Sequence, residues 1–247
     1  MKKKPDTGSE DGSMSLSGHL RELRNRIIVA LAVFVVGVIV CFSAASPIVK
    51  LLTAMGEQHG YKFVYIQPQE LLMVYFSIAL LGAVVLTLPV TAYEIYAFCS
   101  PGLRQKEKSM MLLGMTFGTV FFAVGVLFAY FITVPFMLKF LIAFSVDVEI
   151  TASISIAEYM NFILTVFAIF GIIFELPVVS VILTALGIIK PEWLVKARRV
   201  MIVVIFFIAA VITPPDILSQ IMVAIPIIGL YELSILLSKL VYKTKKQ

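Results

Sequence analysis

Two carboxylates stand among basic residues in the polar segments beside long apolar runs. Glu107 lies with three cations in the break from Phe98 to Lys108, and Glu22 lies in the basic segment HLRELRNR before the first apolar run. Two fixed carboxylates can hold two guanidinium groups through forked hydrogen bonds. The competing interpretation is a solvated ion pair. Glu22 precedes Arg26 by four residues, the spacing of a helical surface pair that contributes about 0.3–0.5 kcal/mol.

A third acid, Glu175, lies halfway along an apolar run, in the segment FGIIFELP. A carboxylate at that depth is costly unless it faces protein, water or a partner. It is either a polar docking point or proton relay, or a buried acid hydrogen-bonded to a neighbour. Pro177 favours the first interpretation, because a proline leaves backbone carbonyls that also seek partners.

Other polar residues near the apolar runs carry weaker signals. Glu94 and Glu232 lie nearer the ends of their runs, and we interpret both as structural. Asp216 and Gln220 lie at the outer turn of a short hairpin. For Asp216, a solvated turn cap is at least as good an explanation as a functional role.

The composition places these acids in a polytopic membrane protein. Hydrophobic residues make up 60% of the 247 positions and only 14% are charged, unlike an ordinary soluble domain. The net charge of +5 comes from cations in the gaps between apolar runs, where they act as orientation signals. Cys41 and Cys99 are predicted on opposite membrane faces, so we expect no disulfide between them.

Six apolar runs predict an all-α fold with six transmembrane helices, within one domain of residues 15–238. A disordered polar tail, residues 1–14, precedes it, and a basic tail, residues 239–247, follows it. The predicted spans are residues 27–46, 70–97, 109–138, 156–187, 200–212 and 217–237. The fifth is only about 20 Å long at about 1.5 Å per residue, shorter than a hydrocarbon core of about 30 Å.

Small residues and prolines mark where these helices should pack, bend or end. Gly114, Gly118 and Gly125 form a small-residue face, for which ordinary packing is the favoured interpretation. The exported loop at residues 47–69 is expected to be ordered only in part. The prolines predicted to end or kink helices are Pro47, Pro89, Pro135 and Pro177.

The distribution of cations predicts the orientation. Seventeen of the twenty Lys and Arg residues fall in the segments assigned to the cytoplasm, and only Lys50, Lys62 and Lys139 fall outside. Both termini are therefore predicted to be cytoplasmic. A cleavable signal peptide ending near Ser43 is an alternative for the first run. The length of that run and the five later runs argue against cleavage.

The sequence carries no enzyme motif. It has no GxxxxGK[ST] loop, HExxH, CxxC or GxSxG motif, and no paired intramembrane aspartates. The two histidines, His19 and His59, lie far apart outside the predicted spans. We therefore predict no catalytic residue, no metal, no cofactor and no nucleic-acid partner, which leaves recognition as the role of the acids.

At these residues the sequence resembles TatC, the core subunit of the twin-arginine translocase, from Leu16 to about Lys239. The matching motifs, in chain order, are HLRELR at residues 19–24, Pro47, PQE at 68–70, Ala97-Phe98 with Pro101-Gly102-Leu103 and Glu107, FAYF at 128–131 with Pro135, FGIIFELP at 170–177, and TPPD at 213–216 with Ser219-Gln220. Seven ordered motifs on a six-span layout are not a chance match. Cys99 and Ser100 stand where other residues are common in the family.

The resemblance implies a glove-shaped bundle in the bacterial cytoplasmic membrane that binds twin-arginine signal peptides of folded precursors. With single-span TatA- and TatB-type partners, in an oligomeric complex, it would support export driven by the proton motive force. The signal-binding residues it implies are Glu22, Arg24, Phe98 and Glu107. The intramembrane polar or partner-docking residues it implies are Glu175, Thr213, Asp216 and Gln220.

A secondary transporter or channel that uses Glu175 as an ion site is the alternative from another class. Such a protein should show internal repeats and more than one facing intramembrane ionisable group. No convincing repeat is present in the sequence.

Overall fold

The computed structural model describes residues 16–143, 153–213 and 217–246. The predicted disordered tail, residues 1–14, and the turn residue Asp216 lie outside the described residues. The described residues form nine α-helices and two short strands. The helices are α1 (Leu16–Ser43), α2 (Ala45–Gln58), α3 (Glu70–Cys99), α4 (Gln105–Phe128), α5 (Val134–Ala143), α6 (Ile156–Phe174), α7 (Leu176–Leu186), α8 (Pro191–Ile212) and α9 (Ile217–Lys246). The strands are β1 (Lys62–Val64) and β2 (Ser153–Ser155).

Five helical segments of the described chain are long and apolar enough to cross a membrane, which confirms the membrane class. They are Gly18–Ser43, Glu70–Gly102, Glu107–Ala143, Ile156–Leu186 and Ile217–Lys243. Helix α8 is not among them, because charged residues occupy its first half and leave only a short apolar stretch. The count of six spans therefore stays a prediction.

Glycines allow α1 and α3 to pack closely as an antiparallel pair. A Cβ atom on Gly37 of α1 would lie 2.9 Å from Cγ2 of Thr87, and one on Gly82 of α3 would lie 3.1 Å from Sγ of Cys41. Small residues at such contacts let helix backbones approach. The start of α1 consequently lies beside the end of α3.

The core of the bundle is centred on α6. Tyr159, Met160, Ile163 and Phe170 of this helix are almost completely buried. The outer faces of the bundle are instead lined by large apolar side chains that are more than half exposed, such as Ile39 at 66%. Lipid is the environment that would cover such faces.

The segment at residues 47–69 is more ordered than the sequence predicts. Pro47 does not end the first helix as predicted, because α1 already ends at Ser43. It lies in the first turn of α2, where the missing backbone N–H of a proline costs no helical hydrogen bond. Leu52 on the buried face of α2 accepts a hydrogen bond at 2.7 Å from the hydroxyl of Tyr159. This long-range contact orders the segment and is not visible in the local pattern.

A small parallel sheet adds to the predicted all-α fold. β1 pairs with β2, with Lys62 opposite Ser153 and Val64 opposite Ser155. Each strand has only three residues, too few for a periodic signal in the sequence. The sheet lies beside the start of α6, whose first residue follows β2 directly.

The other prolines act differently from one another. Pro89 lies inside α3, which continues on both sides of it. Pro135 follows a π-helical segment, Ala129–Thr133, that joins α4 to α5. Pro177 lies in the first turn of α7, just after the break from α6 at Glu175. Pro226 lies inside α9 and was not singled out from the sequence.

Candidate functional site

The antiparallel packing of α1 and α3 creates an ionic cluster at one end of the bundle. Arg26 of α1 donates from Nε and Nη2 to Oε1 of Glu22, at 2.9 and 2.6 Å. The same guanidinium donates from Nη1 to Oε2 of Glu94 on α3, at 3.0 Å. One arginine thus holds two carboxylates from two helices.

The ring of Phe98 joins this cluster through His19. The two rings are stacked, with centroids 4.3 Å apart and planes 16° apart. Nδ1 of His19 lies 4.0 Å from Oε2 of Glu22. The structure therefore brings Glu22 and Phe98, two of the predicted binding residues, into one assembly.

Glu107 lies at the same end of the bundle but has a different role in the fold. A short 3-10 turn, Ser100–Gly102, connects the end of α3 to the start of α4. Glu107 is in the first turn of α4, where its Oε2 accepts a hydrogen bond from the backbone N–H of Arg104 at 2.9 Å. A carboxylate here satisfies a free N–H group and interacts favourably with the helix dipole.

We call the end of the bundle that holds the ionic cluster and Glu107 the Glu22 end. Arg24, the fourth predicted binding residue, is exposed here and forms no ion pair with any described residue. The ionic cluster lies in the wall of a groove of about 700 Å³. Its lining residues include Gly18, Arg21, Glu22, Asn25, Arg26 and Glu94.

The opposite end, the Glu70 end, is held by a separate polar contact. The hydroxyl of Ser155 donates to Oε2 of Glu70 at 3.0 Å and joins the start of α6 to the start of α3. Helices α3 and α6 therefore start at the Glu70 end, whereas α1 and α4 start at the Glu22 end.

Glu175 lies between the ends, at the break that separates α6 from α7. Its carboxylate faces a groove of about 400 Å³ between α3, α4 and α7. A Cβ atom on Gly118 of α4 would lie 2.8 Å from Oε2 of Glu175, so the glycine makes room for this carboxylate. Gly125 instead packs against Phe174, as ordinary helix packing predicts.

The carboxylate of Glu175 makes no hydrogen bond with any described residue, although the residue is partly buried. The described residues that line its groove include no second ionisable group. Thr91 and Thr119 are the other polar residues of the described lining, and the rest is apolar. The described lining of the groove therefore presents a single carboxylate in a largely apolar surface.

Two other predicted docking residues already have partners within the chain. The hydroxyl of Thr213 donates to the carbonyl of Ala209 at 3.0 Å, which completes the last turn of α8. Nε2 of Gln220 donates to the carbonyl of Phe206 at 2.8 Å and ties α9 to α8. Both contacts stabilise the α8–α9 hairpin, and a role in partner docking stays a prediction.

The residues that sequence reasoning missed are Arg26 and Glu94. Glu94 was interpreted as structural and Arg26 only as the partner of Glu22, because their contact joins positions 68 residues apart. An acid near the end of one span and a cation near the start of another were the only available signal. Among the described residues, no group of three His, Cys, Asp or Glu side chains could hold a metal ion.

The five membrane-length helices of the described chain define a polytopic integral membrane protein. The family model for TatC, the Sec-independent protein translocase protein, matches residues 18–226. The chain belongs to the TatC family and is therefore a protein translocase subunit rather than a member of an enzyme family.

Individual relatives agree with this family. The chain is 38% identical over 230 residues to Sec-independent protein translocase protein TatCy of Bacillus subtilis (strain 168), covering 93% of this chain and 91% of that protein. It is 37% identical to TatC of Helicobacter pylori (strain ATCC 700392 / 26695), covering 94% and 90%. A crystal structure of the twin arginine translocase receptor TatC superposes with a TM-score of 0.80 at 34% identity, covering 90% of this chain and 99% of that one.

Proposed function

We propose that this chain is the receptor and core subunit of a twin-arginine translocase, and that it binds signal peptides with consecutive arginines at the Glu22 end. The observation that carries this proposal is the ionic cluster itself. Glu22 already holds a guanidinium group, that of Arg26, by two hydrogen bonds. A carboxylate in this position is chemically suited to an arginine of a passenger peptide.

Four side chains at the Glu22 end would share the recognition of the signal peptide. Glu22 and Glu107 would each accept hydrogen bonds from one guanidinium, and Phe98, stacked on His19, would offer an apolar face beside them. Arg24 would contribute from the exposed surface of α1. The apolar segment of the signal would then follow the lipid-facing surface of the bundle, where its transfer from water is favourable.

Glu175 and the α8–α9 hairpin would serve the partner subunits. A single-span helix of the TatA or TatB type could place a polar side chain on the carboxylate of Glu175 and its apolar side chains in the surrounding groove. A hydrogen bond of this kind is a recurrent means of joining transmembrane helices. The short apolar part of α8, with Thr213 and Gln220 near its outer end, would form a second contact surface.

The proposed orientation places the Glu22 end and both termini in the cytoplasm, with six spans in the bacterial cytoplasmic membrane. The cations that cluster at this end support it. Substrate export would take its energy from the proton motive force, and the chain would act within an oligomeric complex.

The experiment that tests the receptor function is peptide capture by the purified full-length protein in lipid nanodiscs. A twin-arginine signal peptide should bind, and the matched twin-lysine peptide should bind about tenfold or more weakly, because lysine cannot form the forked contact. The double variant Glu22→Ala with Glu107→Ala should lose this binding while it remains folded. Glu232→Ala, which removes a carboxylate paired with Arg198, is the matched control. Equal capture by the double variant and the wild type would refute the assigned site.

A transporter or channel with Glu175 as an ion site is less well supported. The described lining of its groove offers no second ionisable group, which such a site would need. Uptake of small solutes or ions into liposomes that contain the protein would favour this alternative.

A further inference from the structure

The guanidinium of Arg26 is bound to the carboxylate of Glu22, which under the proposed function binds an arginine of the signal peptide. Nε and Nη2 of Arg26 both donate to Oε1 of Glu22. The other oxygen, Oε2, is buried and has no hydrogen-bond partner among the described residues. A forked contact with an incoming arginine requires both oxygens of a carboxylate. In this conformation one oxygen is taken and the other is covered.

One oxygen of the Glu22 carboxylate is in an unfavourable environment. A buried acceptor without a donor carries a desolvation penalty that a new donor would relieve. Oε2 of Glu22 is such an acceptor, and Nδ1 of His19 lies 4.0 Å from it, beyond hydrogen-bond reach. A rotation of the Glu22 side chain that releases Arg26 would expose both oxygens to the groove above.

Glu94 determines whether that release is feasible. The Arg26 side chain is only 26% exposed, so it would be unfavourable to leave its charge without a partner. Glu94, at 16% exposure, holds Nη1 of Arg26 independently of Glu22. After Glu22 turns away, Arg26 therefore keeps a carboxylate partner.

We propose that Arg26 is a built-in competitor for the receptor carboxylate: it occupies Glu22 at rest, and an arginine of the signal peptide displaces it while Glu94 retains it. The competition would also favour arginine over lysine. The incoming group must replace two hydrogen bonds on Glu22, which a planar guanidinium can do and an ammonium does less well. This inference rests on the proposed signal-peptide binding.

The effect of removing the Arg26 charge on peptide affinity tests the competitor role. With the full-length protein in nanodiscs, Arg26→Gln should lower the Kd of a twin-arginine peptide roughly fivefold, because no resident ion pair has to be broken. The preference for the twin-arginine over the twin-lysine peptide should fall by a similar factor. If Arg26→Gln weakens or does not change twin-arginine binding, Arg26 is no competitor and only orients Glu22.

Glu94 supplies a second readout that a merely structural role would not reproduce. Glu94→Gln should weaken twin-arginine binding roughly threefold, because displaced Arg26 would lose its remaining partner. In the Arg26→Gln background the same change should have no effect, since there is no guanidinium to retain. An equal loss in both backgrounds would overturn the proposed role of Glu94.

Two further variants keep the outcomes distinct. Arg26→Lys retains a cation and should tighten peptide binding less than Arg26→Gln, which gives a test even if Arg26→Gln unfolds. Glu22→Gln and Glu107→Gln test the receptor site itself. If both leave twin-arginine binding unchanged, the proposed function fails. If both weaken binding while Arg26→Gln fails to strengthen it, only the competitor role fails.

Discussion

Glu22 and Glu175 are the same residue type in opposite circumstances. At the Glu22 end, the carboxylate of Glu22 accepts two hydrogen bonds from a resident guanidinium. Between the ends, the carboxylate of Glu175 faces an apolar groove and accepts no hydrogen bond from any described residue. Among the described residues, only Glu22 is ion-paired with a cation.

This difference teaches how each acid can act. An acid that is already ion-paired can recognise a ligand only by exchange, so charge and geometry decide which ligand succeeds. An acid without a partner in an apolar surface gains from any polar donor that arrives. We therefore expect the Glu22 end to discriminate between peptides, and Glu175 to respond mainly to hydrogen-bonding ability.

The largest expected effect is at Glu107, where charge and structure can be separated. Glu107→Gln keeps an oxygen that can accept the hydrogen bond from the backbone N–H of Arg104 but removes the charge. We expect twin-arginine peptide binding to fall about tenfold to a hundredfold, the range for a lost charge-assisted contact, with little change in melting temperature. Titration of a labelled peptide and a thermal melt of the same sample measure the two quantities.

Glu107→Ala is the control for the cap. It should lose peptide binding to a similar extent and also melt lower, because the first turn of α4 loses its side-chain acceptor. Binding that survives in Glu107→Gln but not in Glu107→Ala would mean that Glu107 acts through helix capping and not through charge.

The isosteric change Glu175→Gln should reduce partner binding much less than Glu107→Gln reduces peptide binding. Glu175→Gln retains an acceptor, so we expect cross-linking of a TatA- or TatB-type helix to a photoreactive group at Val179 to fall by about half. Glu175→Leu removes the acceptor and should reduce cross-linking about tenfold, equivalent to the loss of one interhelical hydrogen bond. Peptide binding at the Glu22 end should stay unchanged in both variants.

The reverse ranking would break the comparison between the two acids. If Glu175→Gln abolished cross-linking as completely as Glu175→Leu, Glu175 would act as a charge, and the ion-site alternative would gain support.

Gly118 offers a smaller change at the same surface. Gly118→Ala would place a Cβ atom 2.8 Å from Oε2 of Glu175 and push the carboxylate aside. We expect roughly threefold weaker partner cross-linking, together with a destabilisation of about 1 kcal/mol from overpacking. Gly114→Ala, one turn earlier in α4, meets the side chain of Ile182 instead. It should lower the melting temperature similarly but leave cross-linking intact. Equal cross-linking in the two variants would show that Gly118→Ala does not act through the carboxylate of Glu175.

The sequence predicted the parts of this molecule that depend on local composition. Apolar runs of sufficient length identify a membrane protein, and the described chain contains five helical segments of membrane length. The motifs from residue 19 to residue 220 identify the family, which the family model and the relatives confirm. Local patterns were sufficient here because membrane insertion acts on each segment separately.

Contacts between distant segments were not accessible from the sequence. The Arg26–Glu94 pair depends on the packing of α1 against α3, and the order of residues 47–69 depends on a tyrosine 107 positions from its carbonyl partner. Glu175 is recognisable in the sequence as an acid within an apolar run, and the structure adds the groove that it faces and the position of Gly118. Its role, as a polar docking point or as a structural acid, stays a prediction.

The smallest expected effect compares two arginine–carboxylate pairs that differ in exposure. The Arg198–Glu232 pair has an N–O distance of 2.7 Å, and its side chains are 44% and 46% exposed, whereas Glu94 beside Arg26 is 16% exposed. Water and salt screen the first pair, so Glu232→Gln should change stability by less than about 0.5 kcal/mol. Glu94→Gln removes one carboxylate partner of the partly buried Arg26 guanidinium and should cost about 1 kcal/mol or more.

Melting curves at low and high salt distinguish the pairs, since only the exposed Arg198–Glu232 pair should lose its small contribution in salt. Equal shifts for both variants would mean that the Glu22 end is as well hydrated as the outer surface, and Arg26 would then not need Glu94 as a retained partner.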